Sequence, residues 1–399
     1  MLGERVFIVS AKRTPFGRFR GGLSGLGPVE LVRAAAEGCF RGIERDLISR
    51  VILGVCLPAG QGMNPARQAA LSCGLAETAT GYTINMMCGS GLKAMALGAD
   101  LIRLGEARAV LAGGVESMSQ SPLLVGRPGR GQSPDVSRIS DSMLVDGLRD
   151  VWISEHMGET AERLAVEFGV SREEQDLWAV RSQSLYSKAL ALGEYRDELV
   201  EVGGVVSDEH PRPGVSLSEL AGLRPVFSEA GTVTAGNSSG INDGAAIAVL
   251  AGESFVAERG WPVLCEWAGA YEEGCDPRRM GLGPVYAAAG LLERHGLEWG
   301  DIDQLEINEA FAAQVLSCLA ATGLGDQLRA SPEELRPLVN VHGGAIAIGH
   351  PLAASGARLA VHQAWQIARG RARTSISALC IGGGMGIAAL LRSADVVRD

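Results

Sequence analysis

The chain contains an internal repeat. Residues 90–108 (SGLKAMALGADLIRLGEAR) align without gaps with residues 355–373 (SGARLAVHQAWQIARGRAR) at an offset of 265 residues, and seven of the nineteen positions are identical. Each copy follows a glycine-rich turn and precedes an apolar run that ends in glycines. Chance similarity between two helices rich in Ala and Gly is the alternative, but the shared order of flanking elements favours a duplication. Two similar halves would then pack together, with a site where their loops meet.

Short apolar runs alternate with helical patterns. The runs VFIV, RVILGV and AVLAGG predict buried strands, and residues 28–41 and 90–104 have apolar spacings of three and four that predict helices. This alternation is typical of an α/β fold with parallel strands and crossover helices. Residues 119–150 are rich in Ser, Pro, Gly and Arg, residues 155–192 predict a helical stretch, and the α/β pattern resumes at 243. We therefore predict an N-terminal half at 1–118 plus 243–265, an inserted domain at 119–242 and a C-terminal half at 266–399.

Composition narrows the function classes. The formal charge of −10 argues against nucleic acid or an anionic membrane as the main partner, although a local basic patch could still bind a small anion. The eight cysteines form neither a C-x-x-C pair nor a zinc-type Cys/His spacing, which predicts reduced thiols and no metal site. No apolar run approaches the roughly 18 residues that span a bilayer. The first residues also lack the apolar core of a signal peptide, so we expect a cytoplasmic protein.

Cys88 lies between the apolar run GYTINMM and a helix that opens with Gly-Ser-Gly. A helix N-terminus presents unpaired N–H groups and a partial positive charge, which would lower the pKa of the thiol and favour a thiolate. Either a nucleophile or a structural cysteine fits this pattern.

Three further residues lie where predicted strands end. His350 precedes the second copy of the repeated helix, so a two-fold relation between the halves would bring it to face Cys88 as a base. Cys380 is followed by three glycines, whose N–H groups could form an oxyanion hole, and Asn308 follows the run LEI. The alternatives are a packed Cys380, a helix-capping Asn308 and His342 in place of His350 as the base.

Four blocks and one further tract of the sequence resemble the thiolase family, of the acetyl-CoA acetyltransferase type. The blocks are NMMCGSGLKA, INEAFAA, GGAIAIGHPLAASGAR and LCIGGGMG, and the tract is GTVTAGNSSGINDGA at 231–245. Together they are specific, and the resemblance extends over essentially the whole chain. It implies a duplicated five-layered αβαβα fold with an inserted loop domain.

The resemblance also implies roles for the site residues. Cys88 corresponds to the nucleophile that accepts the acyl group, and His350 to the base that activates it. Cys380 corresponds to the thiol that exchanges a proton with the α-carbon or with the leaving coenzyme A. Asn308, through a water, and His350 would hold the thioester or enolate oxygen. The N–H groups of Cys88 and Gly382 would hold the oxygen of the tetrahedral intermediate.

For coenzyme A, the resemblance implies contacts from the inserted domain and the cavity wall, with no tightly bound cofactor. The residues implied are His156, Met157, Gln183, Arg212, Phe227, Ala235, Ser239, Met280 and Phe311. Among them, Met157, Phe227, Met280 and Phe311 correspond to positions that crowd a short-acyl pocket. Ala353 departs from the family pattern, which has glycine after GHPL, and could tighten the turn beside His350.

We therefore expect Claisen condensation of two acetyl-CoA to acetoacetyl-CoA plus CoA, and the reverse thiolysis, in a homodimer or homotetramer. The closest alternative is a 3-ketoacyl-CoA thiolase of β-oxidation with longer substrates. A decarboxylating ketoacyl synthase would need a Cys-His-His or Cys-His-Asn set, and Cys380 argues against it. A non-catalytic CoA or lipid carrier would not need Cys88, His350 and Cys380 together.

Overall fold

The computed structural model describes residues 3–325 and 338–395. The strands are β1 Val6–Arg13, β2 Gly17–Arg18, β3 Arg50–Gly54, β4 Thr80–Ile84, β5 Ala109–Ser117, β6 Leu123–Leu124, β7 Ser140–Asp141, β8 Asn242–Gly252, β9 Cys265–Gly274, β10 Gln304–Ile307, β11 Leu338–Val339, β12 Thr374–Ile381 and β13 Met385–Arg392. The α-helices are α1 Pro28–Cys39, α2 Pro65–Ser72, α3 Ser90–Arg103, α4 Met157–Phe168, α5 Arg172–Ala191, α6 Leu217–Ala221, α7 Glu253–Arg259, α8 Gly283–His295, α9 Ala312–Ala321, α10 Ala345–Ile348 and α11 Leu352–Ala368.

The main sheet is symmetric about its centre. Its order is β4-β3-β5-β8-β1 followed by β9-β13-β12-β10-β11, with β2 added beside β8. In the first half β3 is parallel to β4 and β5, and β8 is antiparallel to β5 and β1. In the second half β10 is parallel to β11 and β12, and β13 is antiparallel to β12 and β9. The same pairings thus occur twice, as the repeat predicts.

Helices cover both faces of each half-sheet. The buried face of α1 and α2 packs on the outer side of the first half, and α8 and α9 pack on the outer side of the second. The repeated helices α3 and α11 share one core between the two halves. Because β5 and β8 are covered on both sides, every residue of each is buried, which explains their continuous apolar sequences. The predicted duplicated αβαβα fold is confirmed.

The segment between β5 and β8 carries α4, α5, α6 and the two-stranded β6–β7 sheet. The helical stretch predicted at 155–192 consists of two helices, because Gly169, at φ +65°, ends α4 and the side chain of Ser171 caps α5. The boundaries of the three predicted domains stay a prediction. Within residues 3–325 and 338–395, no helix is both long and apolar enough to cross a bilayer.

Candidate active site

A cavity of about 320 Å³ lies where the loops after β4, β10 and β12 meet the insertion. All but three of the predicted site residues line it: Cys88, His156, Met157, Phe227, Ala235, Ser239, Met280, Phe311, His350, Cys380 and Gly382. The structure therefore brings Cys88, His350 and Cys380 to one cavity from distant parts of the sequence.

Cys88 sits on a tight turn between β4 and α3. Met87 adopts φ +48°, and the Ser90 hydroxyl accepts the Met86 N–H at 2.8 Å and donates to the Met87 carbonyl at 2.6 Å. The expected lowering of the thiol pKa is wrong for the resting site. Burial raises the pKa of Cys88 to about 12, and the Gly382 N–H beside it only partly offsets this. The thiol is therefore neutral at pH 7 and needs a base to react.

His350 is held in one tautomer. Ser355 Oγ lies 2.8 Å from the Pro351 carbonyl and 2.5 Å from His350 Nδ1, so a hydroxyl that donates to the carbonyl accepts from Nδ1. Asn308 Nδ2, an amide donor, lies 3.5 Å from Nε2, and both contacts favour the tautomer with hydrogen on Nδ1. Nε2 is then left with a free lone pair. Burial, assisted by the Arg358 charge, lowers the pKa of His350 to about 4. At neutral pH His350 is an uncharged base.

The backbone of His350 is fixed from the other half of the molecule. Asn242, at the start of β8, accepts the His350 N–H at 2.9 Å and donates to the Gly17 carbonyl at 2.9 Å. Gly349 approaches Asn242 so closely that a Cβ would lie 2.5 Å from its amide, and its φ of +109° favours glycine. The glycine before His350 is thus required by both space and conformation.

Asn308 lies just outside the cavity lining, beside His350. It follows β10, and its Nδ2 is 3.5 Å from His350 Nε2. Its Oδ1 is buried and has no hydrogen-bond partner among the residues that the structure describes. The alternative of a helix-capping role is wrong, because α9 begins after Phe311, three residues later. An amide beside the free nitrogen of His350 suits a site for a polarised oxygen.

Cys380 lies near the end of β12 in an apolar cluster with Met280 and Phe311. Burial raises the pKa of its thiol well above the usual range. Phe227 closes this wall: its ring packs edge-on to Phe311, with centroids 6.0 Å apart, and stacks on His156 at 4.8 Å. The second thiol therefore faces the cavity from its apolar side.

Comparison with known proteins identifies the family. A model of the thiolase N-terminal domain matches residues 6–254, and a model of the thiolase C-terminal domain matches residues 262–393. The chain belongs to the thiolase family. An acetyl-CoA acetyltransferase of Shinella zoogloeoides is 42% identical to this thiolase over 396 residues, which cover 97% of this chain and 98% of that protein.

Solved structures of the family have the same fold. The acetyl-CoA acetyltransferase of Bacillus anthracis superposes with a TM-score of 0.91 at 39% identity, covering 98% of this chain and 99% of that one. Human mitochondrial 3-ketoacyl-CoA thiolase in complex with CoA gives a TM-score of 0.91 at 38% identity and 98% coverage of both chains. This thiolase is therefore an enzyme and an acyltransferase.

Gln183 and Arg212 lie outside the cavity lining of this thiolase. The buried Gln183 amide accepts the Arg212 N–H at 2.8 Å and donates to the Ile346 carbonyl at 3.1 Å. Gln183 thus holds the loop that carries Arg212, and contact of either residue with CoA stays a prediction. His156 begins α4 as predicted, with its Nδ1 accepting the Gly158 N–H at 3.1 Å.

The structure also shows where His342, the alternative base, and Ala353, the departure from the family pattern, are located. His342 lies away from the cavity, with its Nδ1 2.9 Å from His362 Nε2, so it is not the competing base. Ala353 lies in regular helix, in the first turn of α11, and its methyl is buried beside Cys56 and Leu352. The expected distortion of the turn by Ala353 is wrong, because the position needs no unusual backbone angle.

Sequence reasoning missed part of the cavity and the partner of its base. The missed lining residues include Met118, Leu148, Val226, Ile241 and Leu352. Ile241 lies within the quoted tract at 231–245, but Leu148 comes from a segment whose Pro, Gly and Arg content disguised a short π-helical turn at Leu144–Leu148. Ser355 is one of the identical positions of the repeat, but nothing in the sequence indicated its contact with His350.

Across residues 3–325 and 338–395, no cluster of three or more His, Cys, Asp or Glu side chains is arranged to hold a metal ion.

Proposed function

We propose that this thiolase is an acetyl-CoA C-acetyltransferase. It condenses two acetyl-CoA to acetoacetyl-CoA and CoA and catalyses the reverse thiolysis. The observation that carries the proposal is the cavity shared by two thiols, Cys88 and Cys380, and a neutral histidine, His350, with a free Nε2.

In the first step Cys88 attacks the thioester carbonyl of acetyl-CoA. Its proton moves to Nε2 of His350, because burial makes a free thiolate costly and leaves the imidazole uncharged to accept it. The carbon–sulfur bond to CoA breaks, and the CoA thiolate takes the proton of the Cys380 thiol and leaves, so that a Cys380 thiolate and a protonated His350 remain. The acetyl group is then carried by Cys88.

In the second step the Cys380 thiolate removes a proton from the methyl group of a second acetyl-CoA and becomes a thiol again. A thioester acidifies this position, and Asn308 with His350 would hold the enolate oxygen. The enolate carbon attacks the acetyl carbonyl on Cys88, and the N–H groups of Cys88 and Gly382 hold the resulting oxyanion. Collapse of the intermediate releases acetoacetyl-CoA and the Cys88 thiolate, which takes its proton back from Nε2 of His350.

Coenzyme A would enter along the insertion. His156, Ala235 and Ser239 line the cavity on that side, and Arg212 on the neighbouring loop offers a cation for a phosphate. We also propose a homodimer or homotetramer. Its support is β4, which ends the sheet as an edge strand with Tyr82 37% exposed.

Four bulky side chains support a short acyl group. Met157, Phe227, Met280 and Phe311 form one wall of the cavity next to Cys380. A chain longer than acetyl would have to displace this wall. A 3-ketoacyl-CoA thiolase of β-oxidation, as in the human relative, is the other candidate that the same catalytic groups would serve.

Thiolysis rates with 3-ketoacyl-CoA substrates of four and six carbons test the proposal. The unmodified enzyme should prefer acetoacetyl-CoA. Met280→Ala should raise the kcat/KM ratio for six over four carbons by at least about tenfold, because a methylene in an apolar pocket is worth about 1–3 kcal/mol. Val166→Ala, on an exposed face of α4, is the control and should leave the ratio unchanged. A preference for six carbons before any substitution would favour the β-oxidation alternative.

A further inference from the structure

Because of the duplication, the proposed catalytic positions have counterparts in the other half of the chain. At the offset of 265 residues Cys88 corresponds to Ala353, Cys380 to Val115 and Gly382 to Ser117. Beside Ala353 the apolar side chains of Cys56, Leu57 and Met118 pack in one buried cluster. The second set thus lacks the chemical groups of the first, and a packed core lies beside it.

One charged side chain lies within this second set. Glu116, the penultimate residue of β5, is 1% exposed. Its Oε2 accepts the N–H groups of Cys56 at 3.0 Å and Ala353 at 3.1 Å, and its Oε1 accepts the N–H of Leu57 at 3.0 Å. A buried carboxylate with three backbone donors joins the end of β3 in one half to the first turn of α11 in the other.

The same joint lies directly behind the reacting groups. Ala353 is three residues after His350, and Cys88 packs at the edge of the cluster that contains Cys56, Leu57 and Ala353. The Ala353 carbonyl is seated so closely that a Cβ on Gly91 or Gly114 would lie 2.3 Å or 1.9 Å from its oxygen. The first turns of α3 and α11 are therefore in contact at this point.

We infer that Glu116 is a positioning residue for acyl transfer, whose carboxylate fixes the first turn of α11, and with it His350, relative to Cys88. This inference rests on the proposed function. Glu116 does not line the cavity. It acts through the Ala353 N–H.

Loss of the charge of Glu116 and loss of its hydrogen bonds should change the reaction rate in opposite directions. Burial raises the pKa of Glu116 to about 7, although its three N–H donors oppose this. Above that pH its charge adds to the effect of burial in raising the pKa of Cys88, so a neutral replacement would favour the thiolate. In Glu116→Gln the amide NH₂ would also face backbone N–H donors, and the first turn of α11 would shift. A slower reaction in this variant would therefore report lost positioning and not the lost charge.

The test compares Glu116→Gln with Glu266→Gln in the thiolysis of acetoacetyl-CoA. Glu266 is also buried, but it bonds Arg5 at 2.9 Å and lies outside the cavity. We expect kcat of Glu116→Gln to fall about tenfold to 100-fold, because small displacements of reacting groups have effects of this size. The KM for CoA and the kcat of Glu266→Gln should stay within about twofold of the unmodified enzyme.

Thermal unfolding midpoints of both variants separate positioning from stability, since a purely structural role would lower the midpoint and leave kcat unchanged. If Glu116→Gln does not fold, Glu116→Asp keeps the charge with a shorter reach and should also lower kcat. A folded variant of Glu116 with kcat within about twofold of the unmodified enzyme would overturn the inference. An unmodified enzyme that cleaves no 3-ketoacyl-CoA would overturn the proposed function, and this inference with it.

Discussion

At the scale of single residues, the site works with neutral groups. Burial raises the pKa of Cys88 to about 12 and lowers the pKa of His350 to about 4, so neither the thiol nor the imidazole is charged at rest. In the proposed mechanism, proton transfer to Nε2 of His350 accompanies attack by the Cys88 sulfur. The tautomer of His350 then matters more than its charge, and Ser355 sets that tautomer.

Ser355→Ala should lower kcat for thiolysis about tenfold to 100-fold with little change in the KM for CoA, because Nδ1 loses the acceptor that keeps Nε2 free of hydrogen. Ser317→Ala is the matched control, since Ser317 is a buried helical serine whose hydroxyl donates to Ala313 at 2.8 Å. Steady-state kinetics of both variants provide the measurement. Equal kcat in Ser355→Ala and the unmodified enzyme would show that Ser355 does not control the base.

At the scale of secondary-structure elements, the sequence predicted the duplicated architecture and most of the cavity. The repeat located α3 and α11, and the ends of the apolar runs located Cys88, Asn308 and Cys380. The sequence shows where these strands end because a buried strand is a continuous apolar run, and the run stops where the strand stops. The break at Gly169 was missed, since the helical pattern continues on both sides of it.

Other features of the site depend on distant contacts that no local pattern records. The pKa of Cys88 follows from its burial between two halves, which outweighs the helix N-terminus that the sequence shows. The cavity-lining residues Met118 and Leu352 come from segments that meet only in the folded chain. The harmless packing of Ala353 likewise follows from its place in regular helix.

At the scale of the whole molecule, a buried ionic network ties the insertion to both halves. Arg13 of β1 donates to Glu198 at 2.6 Å and to Asp208 at 2.6 Å, both in the insertion. His362 of α11 contacts Glu198 at 2.7 Å, and His342 contacts His362 in turn. Loss of this network would loosen the loop that follows Asp208.

The pH dependence of the free energy of unfolding tests whether His342 is a buried, neutral member of this network. Burial lowers its pKa to about 4, below the value of about 6.5 expected in the unfolded chain. The unfolded state therefore binds more protons between these values, and the stability that neutral His342 provides is lost as the pH falls from about 6.5 towards 4. A proton difference of one corresponds to about 1.4 kcal/mol for each pH unit.

Urea unfolding at pH 7 and pH 5 should show a smaller loss of unfolding free energy in His342→Gln than in the unmodified enzyme. His295→Gln, in the last turn of α8, is the comparison. An identical pH dependence in His342→Gln and the unmodified protein would contradict the assignment of His342 as a buried neutral group.

The proposed mechanism depends on Cys88 carrying the acetyl group. Its most direct measurement is mass spectrometry of peptides after the enzyme is incubated with acetyl-CoA and quenched in acid. We predict one acetyl group on the peptide that contains Cys88, retained in Cys380→Ser and absent in Cys88→Ser. Acetylation of another cysteine, or of Cys88→Ser to the same extent as the unmodified enzyme, would contradict it.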